Sequence, residues 1–168
     1  MIIRTLTPAD VEGYRLLRLA ALYEQPPAFG TPVEKERKLS LEAVASRLQE
    51  SEDTYLLGAF LDYLLVGTIR FSLFEEANEK HRGFIAGLYV KPDFRRRGIA
   101  RALVTEVLLR ARRDSGLRRI HLTVVTTQKA AIQLYKSLGF CIYGTEREAF
   151  SKAGQFYDEY LMELILQA

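Results

Sequence analysis

The chain has 168 residues, 48% of them apolar and 27% charged, and a formal net charge of +3. This length suits one domain with its own core, so we expect residues 1–168 to form a single domain. One cysteine and two histidines exclude a disulfide framework and make a zinc cluster unexpected. No segment approaches the roughly 20 apolar residues of a membrane span, and the first residues lack a signal-peptide pattern, so we expect a cytoplasmic protein.

The first part of the chain predicts a strand, two helices and a hairpin. After the strand IIRTL, Thr7, Pro8 and Asp10 suit the N-cap, the first helical position and the capping box of a helix. The proline-containing stretch that follows is expected to be a loop, and Ser40 begins a second amphipathic helix. Two apolar runs joined near residues 61–63 then predict a β-hairpin.

The rest of the chain alternates strands and helices. GFIAGLYV predicts a strand, and residues 98 to about 113 show the periodicity of an amphipathic helix. RRIHLTVV predicts another strand, a short helix closes at Gly139, and FCIYGTERE with FYDEYLMELIL predicts a final hairpin. The order β-α-α-β-β-β-α-β-α-β-β predicts a mixed α/β fold, with helices on the faces of a largely antiparallel sheet.

Three arginines and a glycine stand immediately before the long amphipathic helix. The first N–H groups of a helix lack internal partners, and the helix dipole makes that end positive. Gly98 leaves the backbone open to a ligand. The arginines at 95–97 add positive charge at the positive end of the helix, which destabilises the helix unless an anion binds there. The pattern predicts a site for an anion such as a pyrophosphate. It is neither a P-loop nor a dinucleotide fingerprint, since the required lysine and third glycine are missing.

This stretch resembles the acetyl-CoA motif [QR]-x-x-G-x-[GA] of the GCN5-related N-acetyltransferases, the GNAT family. AAIQLYKSLGF is similar to the family segment A-I-x-L-Y-x-x-x-G-F, and YDEYLMELIL resembles its last strand. The resemblance covers most of the chain and agrees with the element order. It implies a GNAT fold and an enzyme that transfers acetyl from acetyl-CoA to an amine by direct attack on the thioester, without a metal.

The resemblance also implies roles for particular positions. The strand end would bind the acetyl carbonyl and the pantetheine arm, and the arginine–glycine motif would wrap the pyrophosphate. Tyr135 would protonate the departing thiolate, whose basicity is comparable. Gln128 stands where the family often has an asparagine against pantetheine. The implied cofactor-binding residues are Leu88, Tyr89, Val90, Arg95, Arg96, Arg97, Gly98, Ile99, Ala100, Arg101, Gln128, Ala131 and Tyr135.

The general base is left open by the sequence. Many family members carry a glutamate in the strand that ends in LYV, whereas residues 83–90 contain no carboxylate here. His121 is interpreted as flanking a strand face, and Cys141 as a small buried hydrophobe rather than a nucleophile. The remaining candidates for the base are Glu75, Glu76, His81, Asp158 and Glu159.

The segment between the first two helices is expected to wall the acceptor site. Phe29, Gly30 and Glu34 are the candidate substrate residues there, and Glu24 and Glu36 are further charges that would attract a cationic amine. The resemblance implies a small amine, an amino acid or a protein N-terminus as acceptor, and a monomer or homodimer without nucleic-acid or membrane partners. Two alternatives stay open: a catalytically silent acyl-CoA sensor, and a nucleic-acid-binding module built around the arginines.

Overall fold

The computed structural model describes residues 1–24, 31–114 and 116–166. The strands are β1 (Ile2–Thr5), β2 (Thr54–Leu61), β3 (Leu64–Leu73), β4 (Arg82–Val90), β5 (Arg119–Val125), β6 (Cys141–Lys152) and β7 (Gln155–Ile165). The helices are α1 (Val11–Glu24), α2 (Val33–Arg37), α3 (Leu41–Ser46), α4 (Ile99–Ala111) and α5 (Lys129–Ser137). The predicted element order is confirmed apart from α2, a helix of five residues that the sequence pattern does not predict.

The seven strands form one mixed sheet in the order β1-β2-β3-β4-β5-β7-β6. Only β4 and β5 pair in parallel among the described strands, and β7 lies between β5 and β6. The β2–β3 hairpin turns at Asp62 and Tyr63, which have φ angles of 46° and 67°. Two consecutive left-handed residues are the signature of a tight type I′ hairpin turn, so this predicted hairpin is confirmed.

The predicted start of the first helix is also confirmed. The Thr7 backbone N–H donates to the Asp10 carboxylate at 2.9 Å, and Pro8–Asp10 form a 3-10 turn that leads directly into α1. Asp10 additionally accepts two bonds of 2.7 Å from the Arg4 guanidinium on β1. This arrangement ties the first strand to the first helix.

Helices cover both faces of the sheet, and each face has its own hydrophobic core. Helices α4 and α5 contribute Leu103, Val107 and Ile132 to the larger core. Helices α1 and α3 contribute Leu17 and Val44 to the smaller one on the other face. Because side chains of a strand alternate between faces, each central strand supplies residues to both sides. Within residues 1–24, 31–114 and 116–166, every helix is too short or too polar to span a bilayer.

The predicted burial of Cys141 is wrong. It is exposed at the start of β6, the edge strand of the sheet, opposite Glu163 of β7. Directly opposite residues of a strand pair share a face, and this face carries charged side chains at that edge rather than a covering helix. The apolar residue just before it, Phe140, is the one that enters the core.

Candidate active site

Strands β4 and β5 separate partway along their length. Their parallel pairing ends with Phe84 opposite His121, although β4 continues to Val90 and β5 to Val125. Two neighbouring parallel strands that stop pairing leave backbone N–H and C=O groups along the inner edge of each strand. Residues 85–90 of β4 therefore present a polar backbone edge to the opening between the strands.

A β-bulge in β4 accompanies this separation. The register against β3 shifts between Thr68 and Arg70, and Gly87 has a φ of 65°. Glycine adopts this left-handed conformation without the steric penalty of other residues, which explains its place in the bulge. After the bulge, Tyr89 and Val90 pair again with Thr68 and Gly67 of β3, so β4 stays in the sheet up to its last residue.

The start of α4 is an open backbone cradle, as the arginine–glycine motif predicts. Gly98 is the N-cap with a φ of 78°, and a Cβ built on it would meet no atom within 4 Å. Within the described ranges, the amides of residues 96–101 have no hydrogen-bond acceptor. Such amides at a helix start, with the dipole behind them, suit a phosphate group. A pyrophosphate therefore fits this cradle.

The arginines around the cradle do not all point the same way. Arg96 and Arg97 are exposed, with Arg97 5.3 Å from the centre of the Phe94 ring. Arg101 donates to the Ser137 hydroxyl at 2.8 Å and so connects the start of α4 with the end of α5. The exposed side chains of Arg96 and Arg97 can reach a phosphate bound at the cradle, whereas Arg101 already connects α4 with α5.

Arg95 turns back from the cradle towards β4 and α1. Its Nε donates to the Val90 carbonyl at 2.9 Å, and its Nη2 lies 2.6 Å from the Glu24 carboxylate. The Tyr89 hydroxyl donates to the same carboxylate at 2.7 Å. Burial and this bond to Glu24 raise the pKa of Tyr89 to about 12, so the hydroxyl stays protonated. The cluster fixes the end of β4 against the last residue of α1.

Helix α5 carries the remaining cofactor-binding candidates. The Tyr135 ring is buried and packs edge-on against Phe140, with ring centroids 5.8 Å apart. Burial raises the pKa of Tyr135 above its usual value, so its hydroxyl is a proton donor rather than a base. Gln128 caps the N-terminus of α5, and both it and Ala131 are partly buried.

A cavity of about 740 Å³ lies on the face of the sheet covered by α1, α2 and α3. Ala86 and Gly87 of β4 form part of its wall, so it borders the opening between β4 and β5. It is lined by charged side chains of both signs: Arg18, Lys35, Arg47, Arg70, Glu36 and Glu159. This volume is typical of a small-molecule site.

The charged groups of the cavity differ in their partners. Glu36 is 3% exposed and accepts two bonds from Arg47, at 2.9 and 3.2 Å. Arg18 reaches the Thr31 hydroxyl at 3.4 Å. Arg70 has no hydrogen bond or ion pair to any residue of the described ranges. Arg70 is an exposed side chain of the cavity lining, and a guanidinium there without a carboxylate partner is suited to bind an anionic ligand.

The five candidates for the base lie in different places. Glu75, Glu76 and His81 are exposed near the start of β4, and none of them lines the cavity. Asp158 uses its carboxylate to accept the Glu148 backbone N–H at 2.8 Å. Glu159 alone of the five lines the cavity.

The predicted acceptor-site residues are only partly described. Phe29 and Gly30 lie outside the described residues. Glu34 is exposed, pairs with Arg37 at 3.2 Å and does not line the cavity. Glu36, taken as a loop charge in the sequence, is buried in the cavity wall.

His121 occupies a structural position, in agreement with its interpretation as a residue flanking a strand face. Its ring packs edge-on against Phe74 and Tyr143, with centroid distances of 5.8 and 5.7 Å. Burial and the nearby Arg82 lower the pKa of His121. It does not line the cavity.

Three cavity residues, Arg70, Arg47 and Thr123, were not predicted from the sequence. The one local signal was Arg70, a charge in the apolar strand LLVGTIRFSL. No group of three or more His, Cys, Asp or Glu side chains that would hold a metal occurs in residues 1–24, 31–114 and 116–166.

The sheet opens beside a helix start whose amides are unpaired within the described ranges, and a polar cavity lies behind the opening. The family model "Acetyltransferase (GNAT) family" matches residues 16–140. The chain therefore belongs to the GNAT family and is an N-acetyltransferase.

Individual relatives agree with this assignment. L-amino acid N-acetyltransferase AaaT of Escherichia coli K12 is 31% identical over 118 residues, which cover 69% of this chain and 71% of that protein. A GNAT acetyltransferase from Streptococcus pneumoniae matches with a TM-score of 0.87 and 25% identity, covering 98% of both chains. The fold also matches yncA of Salmonella typhimurium, a putative acetyltransferase solved with acetyl-CoA, with a TM-score of 0.86 and 20% identity, covering 100% and 95% of the chains.

Proposed function

We propose that this protein transfers acetyl from acetyl-CoA to the primary amine of a small acceptor that also carries a carboxylate, an amino acid in the first instance. The observation that carries the proposal is the opening between β4 and β5, with the amide cradle of α4 beside it and the arginine-lined cavity behind it. A thioester held in this opening is accessible to an amine from the cavity.

The cradle supports the acetyl-CoA half of the proposal. Acetyl-CoA supplies the activated acetyl group. The free amides at residues 96–101 would hold its pyrophosphate, and Arg96 and Arg97 would add attraction for its phosphates. The unpaired edge at Leu88 and Val90 would orient the acetyl carbonyl, and a strand N–H there would stabilise the oxyanion.

Tyr135 would protonate the sulfur as the amine displaces it. Its raised pKa keeps the hydroxyl protonated until a thiolate forms next to it. Its burial between α5 and the sheet also limits competing proton donation by water. Gln128 and Ala131, on the same helix, would contact the pantetheine arm.

Arg70 supports the acceptor half. It extends from β3, one strand away from the opening, since its Cα lies opposite Ala86 of β4. An amino acid whose carboxylate pairs with Arg70 would have its amine a few ångströms away, over the wall formed by Ala86 and Gly87. The similarity to an L-amino acid N-acetyltransferase agrees with this acceptor class.

The test is a thiol-release assay with purified protein, acetyl-CoA and a panel of amino acids, simple amines and N-terminal peptides. We expect turnover that depends on acetyl-CoA, with amino acids preferred. Thermal stabilisation by acetyl-CoA and CoA measures binding separately. Absence of both stabilisation and turnover would overturn the proposal, whereas stabilisation without turnover on any amine would favour the acyl-CoA sensor.

The ion pairs of several arginines weaken the alternative of a nucleic-acid-binding module. Arg95 pairs with Glu24, Arg110 with Glu106 and Arg119 with Glu163. These pairs reduce the free positive charge that a phosphate backbone would need. We further propose a cytoplasmic enzyme of one domain over residues 1–168, a monomer or homodimer, that uses no metal and binds neither nucleic acid nor membranes.

A further inference from the structure

Glu159 lies where the opened sheet meets the cavity. On β7 its Cα stands opposite Val125 of β5 on one side and opposite Glu146 of β6 on the other. Its partly buried side chain lines the cavity together with Thr123 of β5 and Gly87 of β4. A carboxylate from the last strand thus reaches the place where β4 itself offers none.

The contacts of Glu159 differ from those of the other cavity carboxylate. Glu36 is bound by Arg47 through both oxygens, which holds it as a structural anion. The Thr123 hydroxyl lines the same cavity and lowers the pKa of Glu159 as a hydrogen-bond donor would, and no arginine or lysine of the described ranges pairs with Glu159. A carboxylate without a cationic partner keeps its basicity.

We propose that Glu159 is the proton acceptor that converts the acceptor ammonium into a neutral amine, directly or through one water molecule, with Thr123 as the residue that positions it. This inference rests on the proposed N-acetyltransferase function and deepens it. It selects one of the five candidates that the sequence leaves open, and it places the base on β7, whereas many family members carry it on the strand that ends in LYV.

The surroundings of Glu159 suit this task. Burial, followed by the charge of Glu146, raises the pKa of Glu159, and the Thr123 hydrogen bond opposes the shift only in part. A carboxylate with a raised pKa removes a proton more readily from an ammonium near neutral pH. The other charged groups that face it across the cavity are Arg18, Lys35, Arg47, Arg70 and Glu36.

The proton balance of the reaction closes with these residues. The ammonium gives one proton to Glu159, and the freed nitrogen lone pair forms the C–N bond to the acetyl carbon. The C–S bond breaks, and its electron pair goes to sulfur. The sulfur takes a proton from Tyr135, which the second nitrogen proton replaces. Glu159 returns its proton to solvent, so one proton is released for each acetyl group transferred.

The decisive variant is Glu159→Gln, with Glu146→Gln on the neighbouring strand as the matched control. We expect Glu159→Gln to lower kcat near neutral pH by on the order of 100-fold while acetyl-CoA binding is unchanged. The loss should shrink as pH approaches the pKa of the amine, because the amine then arrives neutral. Glu146→Gln should keep kcat and move the acid limb of the kcat/KM profile to lower pH, because it removes a charge that raises the Glu159 pKa.

Two further readouts distinguish a role of Glu159 as the base from a purely structural role. Since burial disfavours the charged form of Glu159, Glu159→Gln should have a Tm equal to or above that of the wild type. Thr123→Val should move the acid limb to higher pH while retaining measurable turnover. A Glu159→Gln enzyme with kcat within about threefold of the wild type and the same acid limb would overturn this inference. A wild-type enzyme inactive on every amine would instead contradict the proposed function.

Discussion

The two sides of the opening are built from different parts of the chain. On the cofactor side, the amides of residues 96–101 and the edge of β4 are backbone groups within one continuous stretch. On the acceptor side, the cavity is made of side chains from three helices and five strands, among them Arg70, Thr123 and Glu159. Under the proposed function, acetyl-CoA would contact main-chain groups, whose geometry tolerates substitution, and the acceptor would contact side chains, whose identity would select it.

The largest effect within the cofactor side is expected for Tyr135→Phe. Loss of the hydroxyl should lower kcat on the order of 100-fold, with the acetyl-CoA Kd nearly unchanged, because the ring still fills the core against Phe140. Single-turnover thiol release measures the chemical step. If the variant retains full kcat, another group protonates the sulfur, and the proposed role of Tyr135 as proton donor is wrong.

Gly98→Val tests whether the cradle is made of backbone. Its left-handed φ is strained for valine, and the new side chain would stand over the amides, so we expect acetyl-CoA affinity to fall about 50-fold. Because a Cβ at this position meets no atom within 4 Å, the fold itself should survive. Calorimetric titration with acetyl-CoA measures the loss.

Arg97→Ala is the matched control for the glycine variant. It removes one exposed charge and leaves every amide in place, so acetyl-CoA affinity should fall by no more than about fivefold. Equal losses in the Gly98 and Arg97 variants would contradict a backbone cradle and assign the binding energy to the arginine side chains.

Arg70→Gln sharpens the other half of the comparison. Loss of a carboxylate–guanidinium pair should lower kcat/KM for an amino acid about 20-fold and leave the acetyl-CoA Kd unchanged. Arg112→Gln, an exposed position outside the cavity, controls for net charge. A loss of the same size for an amine without a carboxylate would show that Arg70 supports the cavity rather than binding the acceptor.

Asp10→Asn should change stability and leave both sides of the site unaffected. The Arg4 guanidinium lowers the pKa of Asp10 from 3.8 to about 2, so the pair stabilises the fold above the ordinary pKa and loses this contribution as pH falls towards 2. We expect the variant to lose about 1–2 kcal/mol of unfolding free energy at neutral pH. The loss stays this small because Arg4 is partly exposed, so that solvent screens the ion pair. Denaturant titrations should show the difference shrinking below about pH 4. A constant difference down to low pH would contradict an ionic origin.

The sequence predicts the backbone of the cradle but not the lining of the cavity, for a physical reason. The cradle depends on a strand end, a glycine and a helix start that are adjacent in the chain, so local rules of backbone geometry suffice. Thr123 and Glu159 meet only because β7 inserts between β5 and β6, a long-range register that no local pattern encodes. A different limit applies to α2. A helix as short as Val33–Arg37 shows no periodicity, so the sequence does not predict it, although it places Glu36 in the cavity wall.

The exposure of Cys141 shows the same limit. Its neighbours Phe140 and Ile142 are apolar, and no sequence pattern shows that β6 forms an edge of the sheet. By contrast, the capping box at Thr7 and the hairpin turn at Asp62 and Tyr63 depend on consecutive residues, and the sequence predicts both.

The most direct test of this account compares one amino acid with the amine left when its carboxylate is removed. Both would be assayed with the wild-type enzyme and saturating acetyl-CoA. We predict acetyl-CoA-dependent thiol release with both acceptors and a kcat/KM at least about 10-fold higher for the amino acid, a preference that Arg70→Gln abolishes. Equal kcat/KM values for the two acceptors in the wild-type enzyme would contradict it.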